Sequence, residues 1–332
     1  MPTSQAALMT DTAIEFAEQA ASTADEALPA TCEPPVSPGA ADAGARELVI
    51  QPTSGWKAVD FRELLAYRDL FLFLTWRSIK VQYAQSALGV GWAVIQPLFQ
   101  MLVFTVVFGY LAKVESDGEP YSLFSLAALL PWTYFSGAVT TGTQSLVANT
   151  KMLTKVYFPR LVMPLSAVAA KLVDFVVAFI MTLVLMACFG QTPSWNVLWL
   201  PVLIVLMMLT AAGLSTWLTA LAIQYRDVKY GLNFVIQLLM YAAPVIYSTY
   251  QLPRRYDLGE LTPALDGWIV APRLIYALNP MVGVIEGFRS ALLGSRPMPW
   301  DFLAIGTVTA TLVAGSGLYY FRSRERLFAD VA

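Results

Sequence analysis

Two acid–base pairs, each with a spacing of three residues, are the first candidates for chemistry in this sequence. Lys171 and Asp174 lie near the start of a long apolar segment, and Glu286 and Arg289 lie in another apolar region. Residues three apart share a helix face and can pair, and ionisable groups in membrane segments are functional by default. For Lys171 and Asp174 a structural ion pair is favoured over a substrate site. For Glu286 and Arg289 a solvent-accessible pair and a role in gating are evenly balanced.

The residue types that most enzymes and metal sites require are missing. The chain has no histidine, and its two cysteines, Cys32 and Cys188, are far apart. Histidine triads and zinc-protease motifs are therefore excluded, and neither a disulfide framework nor a metal site is predicted. The sequence contains no Gly-x-x-x-x-Gly-Lys-Ser/Thr motif, so the chain has no phosphate-cradling loop of its own. We expect no catalytic residue, no metal and no cofactor in this chain.

Aromatic side chains offer a third kind of chemistry, because their faces can stack on the apolar faces of sugar rings. They make up 13% of the chain. For any single residue, a place in the interfacial belt of a membrane protein is the favoured interpretation. The candidates for lining a channel are Trp92, Phe99, Phe108, Trp132, Tyr134, Tyr241 and Tyr247.

The elements that must position these residues are membrane helices. Five windows contain no Asp, Glu, Lys or Arg, namely 81–112, 120–150, 175–225, 230–253 and 302–321. A spanning helix needs roughly 20 mostly apolar residues, and a turn at 190–194 (GQTPS) divides the longest window. The sequence therefore predicts an all-α integral membrane protein with six spans, at about 88–111, 121–144, 165–189, 197–224, 231–250 and 302–321.

The distribution of cations predicts how these spans are oriented. With both termini in the cytoplasm, the inner segments hold 15 Lys and Arg residues and the outer segments hold six. Because cytoplasmic loops carry an excess of cations, this orientation is favoured. The sequence does not indicate a signal peptide, since its N-terminus is acidic.

The connection between the last two predicted spans is unusual. It contains two short apolar runs, 268–278 and 281–293, separated by Asn279 and Pro280. Each run is too short to span a bilayer, and Asn-Pro is a strong helix break. We expect a short re-entrant helix pair on the periplasmic side, because non-helical backbone at that depth needs a covering of protein or a water-filled cavity.

Two further regions precede the spans. Residues 1–50 carry eight acids and one base, so we expect a disordered acidic cytoplasmic tail. Residues 51–86 form a cytoplasmic interfacial region, in which an amphipathic helix is favoured over the first turns of a longer span. Its aromatic and basic side chains include Arg68, Trp76, Arg77 and Lys80. Residues 87–321 then form the six-span domain, and 322–332 a cytoplasmic C-terminal tail.

Several stretches resemble the permease subunits of bacterial polysaccharide-export transporters, the type-2 ABC exporters of O-antigen, capsule and teichoic acid. They occur in that family's order along residues 60–332, and each alone is a weak signal. The stretches are 77–97 (RSIKVQYAQSALGVGWAVIQP), 130–135 (LPWTYF), 153–164 (LTKVYFPRLVMP), 225–228 (YRDV), 244–247 (PVIY), 278–281 (LNPM) with 286–289 (EGFR), and 324–331 (RERLFADV).

The resemblance implies partners and roles. It implies a homodimer in the bacterial inner membrane with two copies of a separate ATPase, which binds ATP and Mg. The ATPase would dock on a cytoplasmic coupling segment at about 149–159, and spans 88–111 and 231–250 would line the channel. The interfacial helix would act as a gate, with its cations near the lipid pyrophosphate. The coupling residues would be Lys151, Lys155, Tyr157, Phe158, Pro159 and Arg160.

The favoured function is thus the permease of an ATP-driven exporter of undecaprenyl-pyrophosphate-linked polysaccharide, preferably O-antigen, with membrane lipids around it and no nucleic-acid partner. One alternative is an exporter of another lipid-linked or small hydrophobic substrate. A second is a membrane enzyme acting on polyprenyl-linked sugars, which would need the catalytic carboxylates or histidine that this chain lacks.

Overall fold

The structure is a computed structural model, and it describes residues 65–84, 86, 88–149, 158–249 and 272–325. Every regular element within these ranges is a helix, which confirms the all-α fold class for this part of the chain. The predicted tail 1–50, the residues 150–157 and 250–271, and the C-terminal residues 326–332 lie outside the described residues.

The first two helical regions surround a short turn. Helix α1, the predicted interfacial helix, runs over Arg68–Tyr83. The candidate span Gly89–Leu111 follows. It begins as a 3₁₀ turn, continues as helix α2 (Trp92–Phe104), and ends as a π-helix over Thr105–Leu111. Pro97 lies inside α2 and removes one backbone donor.

Helix α3 (Tyr121–Ala148) is the centre of the packed helices. In its most apolar window 78% of the residues are buried, compared with 11% in the first span. Its neighbours are α4 (Val162–Ala170), α5 (Leu172–Cys188) and α6 (Leu200–Gln224). A helix that is apolar on all sides can be buried on all sides, and this explains the central position of α3.

The third span is a single candidate span that consists of two helices. Helices α4 and α5 together form the candidate span Val162–Cys188, with a turn at Lys171 between them. After α5, a 3₁₀ turn at Trp195–Trp199 leads into α6. The predicted division of the longest apolar window at 190–194 is confirmed, because the backbone there is non-helical.

Helix α7 (Asp227–Ala242) is shorter than the sequence predicted. The prediction extended the fifth span to residue 250, and this boundary is wrong. Ala243 has an extended conformation, with φ −91° and ψ 153°, since a residue before proline is driven out of the helical region and Pro244 itself offers no N–H. Residues 243–249 therefore leave the helix while still buried, except for the partly buried Tyr247.

The two short helices before the last span are present. Helix α8 covers Pro272–Ala277 and helix α9 covers Pro280–Leu292, with the break at the predicted Asn279. The Asn279 side chain caps α9, because its Oδ1 accepts from the backbone N–H of Met281 at 3.1 Å. Every residue from Pro280 to Leu292 is buried. The first half of the predicted run 268–278 lies outside the described residues.

Helix α10 (Trp300–Arg324) completes the described chain and packs against α6. A Cβ atom placed on Gly213 would lie 2.6 Å from Ala314 Cα, and one on Gly317 would lie 2.6 Å from the Gly213 carbonyl oxygen. Small residues at such crossings let helix backbones approach closely inside membranes. These glycines therefore fix the separation of α6 and α10.

Five helices in the described ranges are long and apolar enough to cross a membrane. They correspond to predicted spans one, two, three, four and six. Helix α7, at 16 residues, is shorter than these five.

Candidate functional site

The predicted pair Lys171 and Asp174 is part of a four-residue polar cluster. The Lys171 ammonium lies 3.1 Å from Asp174 Oδ2 and donates to Gln82 Oε1 at 2.9 Å. Gln82 Nε2 donates to Asp174 Oδ2 at 2.8 Å, and the Tyr83 hydroxyl also donates to this carboxylate. The cluster joins the end of α1 to the third span. Asp174 is thus compensated by three donors, as a structural ion pair requires.

The hydroxyl of Tyr83 remains a hydrogen-bond donor to Asp174 because it stays protonated. Its burial and the hydrogen bond to Asp174 raise its pKa above the ordinary range of a phenol. The hydroxyl therefore stays protonated at physiological pH and keeps the hydrogen bond to the carboxylate.

A cavity of about 780 Å³ lies against this cluster, between α1, α2, α3 and α5. Helix α2 contributes Trp92, Gln96 and Gln100, which recur every four residues and so share one helix face. Helix α3 contributes Thr133 and Tyr134, among others. The volume lies within the about 300–1,000 Å³ of small-molecule sites.

The second predicted pair is buried, so the first of its two alternatives, a solvent-accessible pair, is wrong, and the role in gating stays a prediction. Arg289 Nη1 lies 3.1 Å from Glu286 Oε1, with 3% and 7% of the two side chains exposed. The guanidinium also lies 3.6 Å from the centroid of the Phe124 ring, a cation–π contact. Burial lowers the pKa of Arg289, an effect that the neighbouring Glu286 carboxylate opposes.

This buried pair holds the chain that follows α7. Arg289 donates to the carbonyl oxygens of Val245 and Tyr247, each at 3.0 Å. Glu286 Oε1 accepts from the Thr249 N–H at 2.9 Å. These bonds replace those that the backbone lost when the helix ended, as buried backbone groups require.

A tyrosine completes the same arrangement. The Tyr121 hydroxyl, at the start of α3, donates to the Ile246 carbonyl oxygen at 2.8 Å. The carbonyls of three successive residues, 245 to 247, are thus bonded by side chains from α3 and α9. The sequence analysis did not single out Tyr121, because nothing in its local pattern indicates a partner 125 residues away.

The interfacial helix α1 exposes apolar and basic residues together. Trp76 is 58% exposed, and the ammonium of Lys80 lies 5.4 Å from its ring centroid. Arg77 is also exposed, and Arg68 forms an exposed 3.7 Å pair with Asp69. Only Leu74 is buried among the residues of α1. Apolar residues therefore lie on both sides of this helix, toward the protein and away from it.

The coupling segment is described only from residue 158 onward, so Lys151, Lys155 and Tyr157 lie outside the described residues. Phe158 is 5% exposed and packs with buried side chains from α1, α3, α4, α6 and α10. We name this set the Phe158 cluster; it comprises Leu74, Leu146, Phe158, Leu161, Val162, Met163, Ala220 and Phe321.

The burial of Phe158 corrects one part of the coupling prediction. Phe158 and Pro159 were among the predicted coupling residues, but both are buried within this chain, so neither side chain is exposed for contact with an ATPase. The apolar surface of Phe158 is instead buried against side chains of the Phe158 cluster. Arg160 Nη1 donates to the backbone carbonyl of Glu325, next to the end of α10, which ties the coupling segment to the last span.

The seven candidate channel aromatics fall into three groups. Trp92, Phe99 and Tyr241 are exposed, with 45%, 67% and 52% accessibility. Phe108 and Tyr247 are partly buried. Trp132 and Tyr134 are both 3% exposed in the core, and of these two only Tyr134 lines the cavity described above.

The sequence analysis missed the polar residues of the cavity. Gln82, Gln96 and Gln100 all line it. A signal was available for two of them, because Gln96 and Gln100 are four residues apart in a charge-free window and must share a helix face. Gln82 offered no such signal, since its partners are about 90 residues away.

Comparison with known proteins connects this arrangement to a transporter family. The model of the family described as ABC-2 type transporter matches residues 69–293. An O-antigen export system permease protein of Myxococcus xanthus is 31% identical over 271 residues, covering 81% of this chain and 97% of the relative.

More distant relatives align over similar lengths. An O-antigen export system permease protein of Klebsiella pneumoniae is 25% identical, covering 79% of this chain and 95% of the relative. A polysialic acid transport protein of Escherichia coli is 22% identical, with 76% and 92% covered. The match of the family model and the helices long enough to span a bilayer agree: the chain is a multi-pass membrane protein that belongs to the ABC-2 type transporter family, as a transporter permease and not an enzyme.

Proposed function

We propose that this chain is the permease subunit of an ATP-driven exporter that moves a lipid-linked polysaccharide, of the O-antigen type, across the bacterial inner membrane. The observation that carries the proposal is the 31% identity to an O-antigen export permease over 97% of that relative's length. The all-helical fold supports it, because it offers several spans and a polar cavity beside them.

A homodimer is the second part of the proposal. The first span and α7 expose large apolar residues, including Phe99, Tyr110 and Phe234 at 67%, 81% and 63%. In a homodimer, a second copy of the chain would cover part of this exposed apolar surface. In this arrangement the spans 88–111 and Asp227–Ala242 line the channel.

A separate ATPase is the third part. The coupling segment lies between α3 and α4, and its described end reaches into the Phe158 cluster. A push on this segment would therefore be transmitted to the middle of α1, at Leu74, and to the ends of α6 and α10. With Phe158 and Pro159 buried, Lys151, Lys155 and Tyr157 are the residues that we propose for contact with the ATPase, with both termini in the cytoplasm.

Helices α8 and α9 form the proposed re-entrant pair on the periplasmic side. The capped break at Asn279 and Pro280 turns the chain between two short helices. The buried Glu286–Arg289 pair supports this part, because it bonds non-helical backbone that would otherwise be unsatisfied in an apolar region.

Deletion of the gene, followed by gel analysis of surface and inner-membrane glycans, tests the function. Loss of surface polymer with accumulation of lipid-linked polymer inside the cell is the expected result. Loss of polymer without accumulation would instead indicate an enzyme of polymer synthesis. Unchanged glycans in both fractions would indicate an exporter of another lipid-linked or small hydrophobic substrate.

A further inference from the structure

The cavity between α1, α2, α3 and α5 has hydrogen-bonding groups that the protein itself does not use. Gln96 has no hydrogen-bond partner among the described residues, although it lines the cavity. Gln100 has only a weak contact, from its Nε2 to Met240 Sδ at 3.9 Å. Each glutamine amide offers two N–H donors and a carbonyl acceptor. Together they present a donor and acceptor surface four residues apart along α2.

The other polar groups among the described lining residues are already bonded. Thr133 and Ser136 donate to carbonyls of their own helix at 3.1 Å and 3.2 Å. Lys171, Asp174 and Gln82 satisfy one another in the cluster described above. The two amides of α2 are therefore the groups that remain for a ligand. The exposed indole of Trp92 lies one helical turn before Gln96 on the same helix.

The charge of the cavity narrows the class of ligand. Among the described residues, its lining contains one cation, Lys171, and one anion, Asp174, and these are paired at 3.1 Å. A phosphate or pyrophosphate group is bound most strongly by charge-assisted hydrogen bonds from a cation that is not already paired, and the described lining offers no such cation. An uncharged ligand with many hydroxyl groups needs only the amides and an aromatic face.

We infer that this cavity binds uncharged sugar residues of the exported glycan, within one protomer. Gln96 and Gln100 exchange hydrogen bonds with sugar hydroxyls, and Trp92 stacks on the apolar face of a ring. The inference rests on the proposed function, since it assigns part of the same substrate. The Lys171–Asp174 cluster lines one side of the site without net charge, because its two charges are paired. It also holds the end of α1 beside the site.

The test replaces both amides in the full-length permease and measures export. A deletion strain is complemented with the wild type, with Gln96→Met and Gln100→Met together, or with Leu102→Met. Methionine is close to glutamine in volume and removes only the hydrogen bonds. Leu102 is exposed on the same helix and outside the cavity lining, so it is the matched control. Surface glycan is measured by gel, relative to permease in the membrane.

We expect the double variant to show roughly tenfold less surface glycan, equivalent to about 1.4 kcal/mol, because the hydrogen bonds of both amides to the sugar are removed. The Leu102→Met control should equal the wild type. Wild-type export by the double variant would overturn the sugar site. A deletion strain that still displays its glycan would contradict the proposed function instead.

A second measurement does not depend on the folding of the double variant. Gln96 alone is replaced by the photoreactive residue benzoylphenylalanine, and intact cells are illuminated. An adduct that reacts with a glycan-specific periodate–hydrazide tag supports the site. An adduct that contains phospholipid without glycan, or no adduct while the same residue in place of Leu102 gives a glycan adduct, overturns it.

Discussion

Glu286 and Arg289 form an ion pair of 3.1 Å inside the protein, and both partners also bond the backbone that follows α7. The pair therefore has two functions in the fold. It compensates its own charges, and it supplies hydrogen bonds to a segment that cannot be helical at Pro244. Removing either partner should affect both.

Replacement of Glu286 by alanine should destabilise the protein by about 3–5 kcal/mol, because it leaves the Arg289 charge buried without a partner. Glu286→Gln should cost less, since the amide oxygen still accepts from the Thr249 N–H. Thermal unfolding of the detergent-solubilised protein would measure both. Equal midpoints for the alanine and glutamine variants would show that the backbone hydrogen bond contributes nothing.

Variants of Phe158 and of its neighbour Tyr157 should affect different properties, the first the stability of the protein and the second its coupling to the ATPase. Phe158→Ala should lower the free energy of unfolding by about 3–5 kcal/mol, as loss of a buried aromatic side chain usually does. Tyr157→Ala, at the proposed contact with the ATPase, should leave stability unchanged and reduce stimulation of ATP hydrolysis. Thermal unfolding and ATPase assays on the reconstituted complex would distinguish them. Stable protein with Phe158→Ala would contradict the burial described here.

The crossing of α6 and α10 offers a matched pair of glycines on one helix. Gly317→Val should destabilise the protein by about 1–3 kcal/mol or more, because its side chain would meet the Gly213 carbonyl oxygen. Gly315→Val should be tolerated, since a Cβ there has no heavy atom within 4 Å. Yield of folded protein from membranes, with the unfolding midpoint, provides the comparison. Equal losses at both positions would argue against close packing of these helices.

The cluster of Gln82, Lys171 and Asp174 fastens α1 to the third span. If export requires α1 to separate from that span, a covalent bridge should stop it. Gln82→Cys with Asp174→Cys, in a background with Cys32→Ser and Cys188→Ser, can be joined by a short bis-methanethiosulfonate, which forms a reducible disulfide with each cysteine and releases sulfinate. We expect complete loss of export after bridging and its return after reduction. Single-cysteine variants treated identically serve as controls, and full export by the bridged protein would show that α1 stays in place.

The exposed cations of α1 should affect export of the substrate and not insertion of the permease into the membrane. Each Lys or Arg near an anionic membrane surface contributes about 1 kcal/mol. Arg77→Glu with Lys80→Glu should therefore reduce surface glycan at least several-fold while the membrane level of the permease remains normal. The exchange Arg77→Lys with Lys80→Arg keeps the charges and should export normally. Equal export by both variants would remove the headgroup contact from the proposed mechanism.

Local features of the fold were predictable from the sequence, because their causes are local. The break at Asn279 and Pro280 follows from a side-chain cap and a missing N–H, and the pairing of Lys171 with Asp174 follows from helix spacing. The early end of α7 also had a local signal, Pro244, which the length of the charge-free window concealed.

The parts that escaped prediction depend on contacts far apart in the chain. Phe158 is buried because five helices meet around it, whereas its sequence neighbourhood resembles an exposed loop. Arg289 reaches carbonyls more than 40 residues away, and Gln82 reaches the third span. Hydrophobic patterns show that a residue can be buried, but they do not show which distant groups surround it.

The shortness of helix α7 has a consequence for the lipid around the protein. Its 16 residues rise about 24 Å, whereas the hydrocarbon core of a bilayer is about 30 Å thick. In the proposed topology, the membrane beside α7 must thin by several ångströms or border the protein-covered segment 243–249. Such hydrophobic mismatch costs a fraction of a kcal/mol per ångström. Acyl-chain length is therefore a physical variable for this transporter, and bilayers of shorter chains match helix α7 with the least deformation.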